Sequence, residues 1–439
     1  MKRIGTRQHM MLGAICMLLP LSACNCEDDT GADPWELTEP WPDMALPPDM
    51  AMEPDLDMAP DLDMAPDLFE EPDLPPPPPD IPPEIPWEKE VVAEVPRSQA
   101  LNDRTSLGVG EDGTVWLGYH PCDDDQCIVS WLAVAIDRPD GQDWTIERVA
   151  EQRGTFGLDV HVNEPWVAYL DEVNNQFRVA RRNLSGRGPQ AWTKIPMPVD
   201  FTGPYDGLDL THDDDFIYVT FASELDRPVE LFAFDKRPGA DSSEYIQLSS
   251  LDVGAASAAL ERGLQADGKG NLFLVHREGD TGPYGVARFR LRDNIWDRQA
   301  YFGDPGIVVS SMVARENGDI CMSNTVPDGL FADGYLEMTC GKMNDLRRGL
   351  WRHQDESVSS YSSLIEGTDG SLIIAYNAGG NTELRVARRY PDGTWDIRTV
   401  FDGSSYGVST ALDTQNRLLI SYYTCSRNRC TLELLRQPY

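Results

Sequence analysis

Residues 363–400 read SLIEGTDGSLIIAYNAGGNTELRVARRYPDGTWDIRTV. The stretch opens on a small residue followed by an aliphatic one, Ser363-Leu364. Thr368-Asp369-Gly370 is a turn former. Residues 372–376 are apolar and β-branched or aromatic, Leu384-Arg385-Val386-Ala387-Arg388 alternates, and a second turn leads into Trp395 and residues 396–400. No segment holds a 3.6-residue period. The stretch therefore predicts four short antiparallel strands, A to D, joined by tight turns.

The same unit recurs outward in both directions. The small–aliphatic pair returns as Ser106-Leu107, Gly157-Leu158, Gly207-Leu208, Gly263-Leu264, Ser311-Met312 and Gly407-Val408, about every fifty residues. Second strands are predicted at 115–119, 166–169, 216–221, 272–276, 320–323, 372–376 and 418–422. Fourth strands begin near Trp144, Trp192, Trp296 and Trp395. Seven four-stranded units that cannot each bury two faces alone must stack around an axis, so the expected fold is all-β, a seven-bladed β-propeller. The seventh unit runs out after its third strand. A spare fourth strand stands at residues 87–92 (Trp-Glu-Lys-Glu-Val-Val), which is expected to complete the last blade and close the ring.

Pro391-Asp392-Gly393-Thr394-Trp395 and Pro139-Asp140-Gly141-Gln142-Asp143-Trp144 lie at C–D turns. They resemble the Asp-box of the sialidase-like propellers, without that motif's residue between Asp and Gly. The resemblance implies the fold. The family's catalytic arginines, tyrosine–glutamate pair and aspartate are not matched residue by residue.

Upstream of residue 87 the composition changes. Lys2, Arg3 and Arg7 precede an apolar run of about a dozen residues that ends in Leu21-Ser22-Ala23-Cys24. This resembles the lipobox of bacterial lipoproteins. It implies a signal peptide over 1–23, lipidation of Cys24, and a place in the cell envelope, with Asn25 favouring the outer membrane. Residues 27–86 hold nineteen acidic residues, seventeen prolines and no Lys or Arg. Proline and like charge keep such a segment extended and unfolded, so 24–86 reads as a disordered tether reaching at most roughly 190 Å. The domains are thus 1–23, 24–86 and 87–439.

The formal net charge is −36. With +3 in the first 24 residues and −19 in 27–86, residues 87–439 carry −20, which disfavours nucleic acid as a partner. Six cysteines fall in local pairs, Cys122 with Cys127, Cys321 with Cys340 and Cys425 with Cys430, and in an exported chain these read as disulfides across neighbouring strands. Six histidines form no zinc motif, and neither Asp123-Asp124-Asp125 nor Asp213-Asp214-Asp215 has calcium-loop spacing, so no metal and no cofactor are expected. Gly403-Ser404-Ser405-Tyr406-Gly407 matches G-x-S-x-G but sits between two strands, where no nucleophile elbow forms.

Ligands of propellers meet the channel mouth where strand A begins. The expected binding residues there are Asp103, Arg104, Phe156, Tyr205, Asp206, Arg262, Tyr361 and Tyr406. With no catalytic set in view, the expected function is that of a monomeric, membrane-anchored binding or scaffold module for a protein or glycan partner, not an enzyme. The alternative is an exported glycan-active hydrolase or lyase of sialidase-like type.

Overall fold

A computed structural model describes residues 86–96, 104–121, 130–139, 141, 143–151, 155–184, 186, 188–200, 207–222, 228–237, 244–252, 262–277, 284–300, 308–326, 334–343, 346–358, 362–426 and 429–438. The chain divides into Met1–Pro79 and Asp80–Tyr439, and every described residue belongs to the second unit. The expected signal peptide, Cys24 and the expected tether as far as residue 85 lie outside the described residues, as do Cys122 and Cys127.

The described strands form seven four-stranded antiparallel sheets. In six of them consecutive strands are neighbours. The seventh has the order Glu88–Pro96, Arg429–Arg436, Leu418–Cys425, Ser405–Leu412, so the first strand of the fold is the outer edge of the last blade. Its register runs from Glu88 opposite Arg436 to Val95 opposite Cys430. Val92 and Val95 bury their side chains with Leu107 and Leu117 of blade one, and Arg436 reaches both Glu90 and Asp137 of blade one. This is the expected closure, and it removes the edge that the last blade would otherwise expose.

Seven apolar clusters, one at each junction between blades, make up the core. A strand in such a blade is covered on both faces, which is why residues 115–119 are buried throughout rather than alternating. Packing at the axis is tight enough to require glycine. A Cβ on Gly108 would stand 2.5 Å from Val160 Cγ2, and one on Gly157 would stand 2.8 Å from Leu210 Cδ2. Between blades one and two, a buried Glu147 accepts two hydrogen bonds from Arg182, both 2.9 Å, and one from Trp192 Nε1 at 3.0 Å.

The small residue of the repeat has a second duty. Each inner strand turns one edge toward its neighbour, where backbone N–H groups would be buried without partners at about 1–3 kcal/mol each. Side chains of the preceding blade accept from them. Leu158 N–H donates to Ser106, Leu264 N–H to Asp209, Leu364 N–H to Ser311, Thr410 N–H to Ser363, and Leu107 N–H to Ser409, at 2.9–3.2 Å. In blade seven, whose inner strand carries a bulge between Tyr406 and Ser409, this role falls to Ser409, directly after the Gly407-Val408 pair.

Cys321–Cys340 and Cys425–Cys430 are disulfides between directly paired residues of neighbouring strands. Ser405 is buried at the start of an inner strand and accepts from Asn377 Nδ2, so the G-x-S-x-G match builds no elbow. Asp213 is consumed by its own turn, accepting from the N–H groups of Asp215 and Phe216 and from the Tyr218 hydroxyl.

Candidate functional site in the central channel

The inner strands surround a channel of about 430 Å³. That is within the usual range for a small-molecule pocket. Of the residues expected at its mouth, Arg104, Phe156 and Arg262 line it. Tyr406 lies within the inner strand Ser405–Leu412, half-buried against the core between blades seven and one. Asp103, Tyr205, Asp206 and Tyr361 lie outside the described residues.

Arg262 precedes the inner strand of blade four with a left-handed backbone, φ 50°. A side chain that is not glycine is strained there. The strained backbone holds a guanidinium that donates to the carbonyl of Thr410 on blade seven, so Arg262 bridges non-adjacent blades. Arg104 precedes the inner strand of blade one.

Four further titratable lining groups were not among the expected residues: Asp159, Asp209, His212 and Glu366, the last held by Arg315 at 2.7 Å. Asp209 is the acceptor for Leu264 N–H. Its other oxygen accepts from Leu210 N–H at 2.8 Å. Burial pushes its carboxyl up to about 7, against the opposing hydrogen bonds from Leu264, Leu210 and Gly263 and the charge of Arg104. Where blades one, five, six and seven use a serine hydroxyl, blade three uses an acid.

Asp159 holds the matching place in blade two. One oxygen accepts from Val160 N–H at 2.8 Å and the other faces His212 Nδ1 at 2.7 Å. Burial opposes ionisation of Asp159, but the charge and hydrogen bond of His212, the Val160 N–H and the charge of Arg262 hold the carboxyl below its usual range. The Asp159 carboxylate in turn raises the His212 pKa, against burial. His212 is the last residue of its inner strand, with its side chain 35 % exposed. The His161 ring lies edge-on to it at 5.3 Å, and burial lowers His161 to about 4. Among the described residues no three His, Cys, Asp or Glu side chains gather at metal-ligand distance. No described helix is long and apolar enough to cross a membrane.

A signal for the two aspartates was in the sequence. Gly157-Leu158-Asp159 and Gly207-Leu208-Asp209 repeat an aspartate directly after the small–aliphatic pair, in adjacent blades only.

No family model matches the chain, and no curated protein matches it. Solved structures do. A GH74 xyloglucanase from Xanthomonas campestris is similar over 77% of this chain and 54% of that one, with 12% identity and a TM-score of 0.50. A streptogramin B lyase matches over 80% of this chain and 97% of its own (11% identity, TM-score 0.47). The polysaccharide lyase Uly1 matches over 80% and 100% (10% identity, TM-score 0.49). At 12% identity the xyloglucanase likeness is one of fold alone, and the seven four-stranded sheets make the chain a seven-bladed β-propeller.

Proposed function

We propose that this propeller is exported, lipid-anchored through Cys24 at the cell envelope, and binds a small polar ligand in its central channel without transforming it. A glycan fragment is the ligand class that the mixed lining suits best. Arg104 and Arg262 offer donors to hydroxyl or carboxyl oxygens, beside the apolar edge of the core at Phe156. The observation that carries this reading is the state of the two channel aspartates. All four of their oxygens already accept from backbone N–H groups or meet His212. A glycosidase needs paired carboxyl groups able to give and take protons at the substrate.

One observation favours a second reading, an enzyme that removes a proton. Asp159 orients His212 as a carboxylate orients a catalytic imidazole, and His212 faces the channel. A glycan array and a turnover assay on the full chain separate the two. Binding that Arg262→Ala weakens, with no product formed, supports the first. Product formation abolished by His212→Ala supports the second. Replacing Cys24 with Ser is expected to move the protein from the membrane to the soluble fraction.

A further inference from the structure

Six ionisable side chains line the channel among the described residues: Arg104, Asp159, Asp209, His212, Arg262 and Glu366. Each of the three acids is already provided for inside the protein. Asp159 faces His212 at 2.7 Å. Glu366 meets Arg315, which is not among the lining residues, at 2.7 Å. Asp209 commits its two oxygens to the N–H groups of Leu210 and Leu264. Burial pushes its carboxyl up to about 7, so in more acidic solution it keeps its proton.

The two arginines are placed differently. Arg104 is half-buried and makes no hydrogen bond or ion pair with any described residue. The acid whose ionisation its charge favours is Asp209, the one that burial holds protonated. Arg262 gives one hydrogen bond, to the uncharged carbonyl of Thr410, and makes no ion pair with any described residue. Its charge also reaches Asp159, which has His212 as its partner. Arg262 belongs to blade four and Thr410 to blade seven, so this side chain crosses the channel, and its backbone is kept at a strained φ of 50° to do so.

Two guanidinium charges thus face the channel without a counter-charge of their own, in a domain that carries −20 overall. A partly buried cation without a partner is costly, and a bound anion removes that cost. A carboxylate fits a guanidinium through two parallel hydrogen bonds. The negative field of the whole domain penalises a dianion more than a monoanion.

We propose that the channel takes a small polar molecule bearing a single carboxylate, which Arg104 and Arg262 receive. This rests on the reading of the channel as a binding site, and narrows its ligand from glycan fragments in general to acidic ones.

Glycans that differ in charge alone test it. On an array probed with the full chain, glycans ending in glucuronate or galacturonate are expected to bind at least about tenfold more tightly than those ending in glucose or galactose. Arg104→Gln and Arg262→Gln should each weaken the acidic glycans by about ten- to hundredfold and leave the neutral ones unchanged. The second substitution keeps a donor for Thr410. Arg104 has no described partner to lose, so its variant should melt as the parent does. Equal binding of acidic and neutral glycans would overturn this inference and leave the channel reading standing. So would acidic binding that neither substitution weakens. An array on which nothing binds would overturn both.

Discussion

Asp159 and His212 meet across the junction of blades two and three at 2.7 Å, although 53 residues separate them in the chain. Neither side chain has this partner until two blades stand side by side. Their contact is therefore a readout of ring assembly as well as of channel chemistry.

The pair makes a prediction about pH. Because the folded pKa of His212 is raised, its contribution to stability is fully present below about 6.5 and is lost as pH rises through the folded value. Because that of Asp159 is lowered, its contribution is present above about 3.9 and is lost as pH falls through the folded value. The ion pair is thus fully expressed between roughly pH 4 and 6.5. Asp159→Asn should bring the NMR titration midpoint of His212 down to or below that of an ordinary histidine, since burial and the charge of Lys236 then outweigh the weaker pull of Asp213. An unmoved midpoint would show that Asp159 does not charge the ring.

Asp209 predicts a slope of opposite origin. A carboxyl pushed up to about 7 keeps its proton in the fold after the unfolded chain has released it. Stability should therefore fall as pH rises from about 4 to 7. Asp209→Asn should flatten that part of the profile in urea titrations. Its single acceptor oxygen can serve only one of the two N–H groups, at a cost of about 1–3 kcal/mol.

Glu147 sits in a different balance. Removing it leaves the buried guanidinium of Arg182 uncompensated beside Trp116, and takes the acceptor from Trp192. Glu147→Ala should cost about 3–5 kcal/mol, and a double-mutant cycle with Arg182→Met should show strong coupling. Additive losses would refute the pair's role.

The closing strand should be worth more than any of these. Deleting residues 87–95 removes Val92 and Val95 from the core between blades seven and one and exposes the edge of Arg429–Arg436. The expected result is a large drop in melting temperature with loss of the monomer. Val95→Ala alone should cost about 1–3 kcal/mol. An unchanged melting curve after the deletion would mean that the ring closes without this strand.

The fold was legible because a blade repeats its chemistry locally. The apolar run at 372–376, the Asp369-Gly370 turn and Trp395 fall within one unit, and six more units repeat the plan. The N-terminal strand was legible because residues 87–92 resemble the fourth strands at Trp144 and Trp395. The paired cysteines at 425 and 430 were legible because they flank one hairpin. The channel was harder to read. Its chemistry comes from contacts between units, where Asp209 accepts from Leu264 and Arg262 reaches Thr410. No local spacing encodes those contacts. The serine of the small–aliphatic pair reads as a packing residue until the next blade's N–H is seen on its hydroxyl. Tyr406, which was expected at the mouth because it precedes Gly407-Val408, packs against the core between blades seven and one beside a bulge that leaves no mark in composition.

Glu88 stands opposite Arg436, so the two ends of the ring are one rung apart. Glu88 also leaves the ribosome 348 positions before the residue it must pair with. For nearly the whole of synthesis this strand has no partner, and the nascent ring stays open until its last residues arrive. The same adjacency means that a short peptide joining 437 to 87 would make the propeller circular in sequence, with any other interblade loop free to serve as the new beginning.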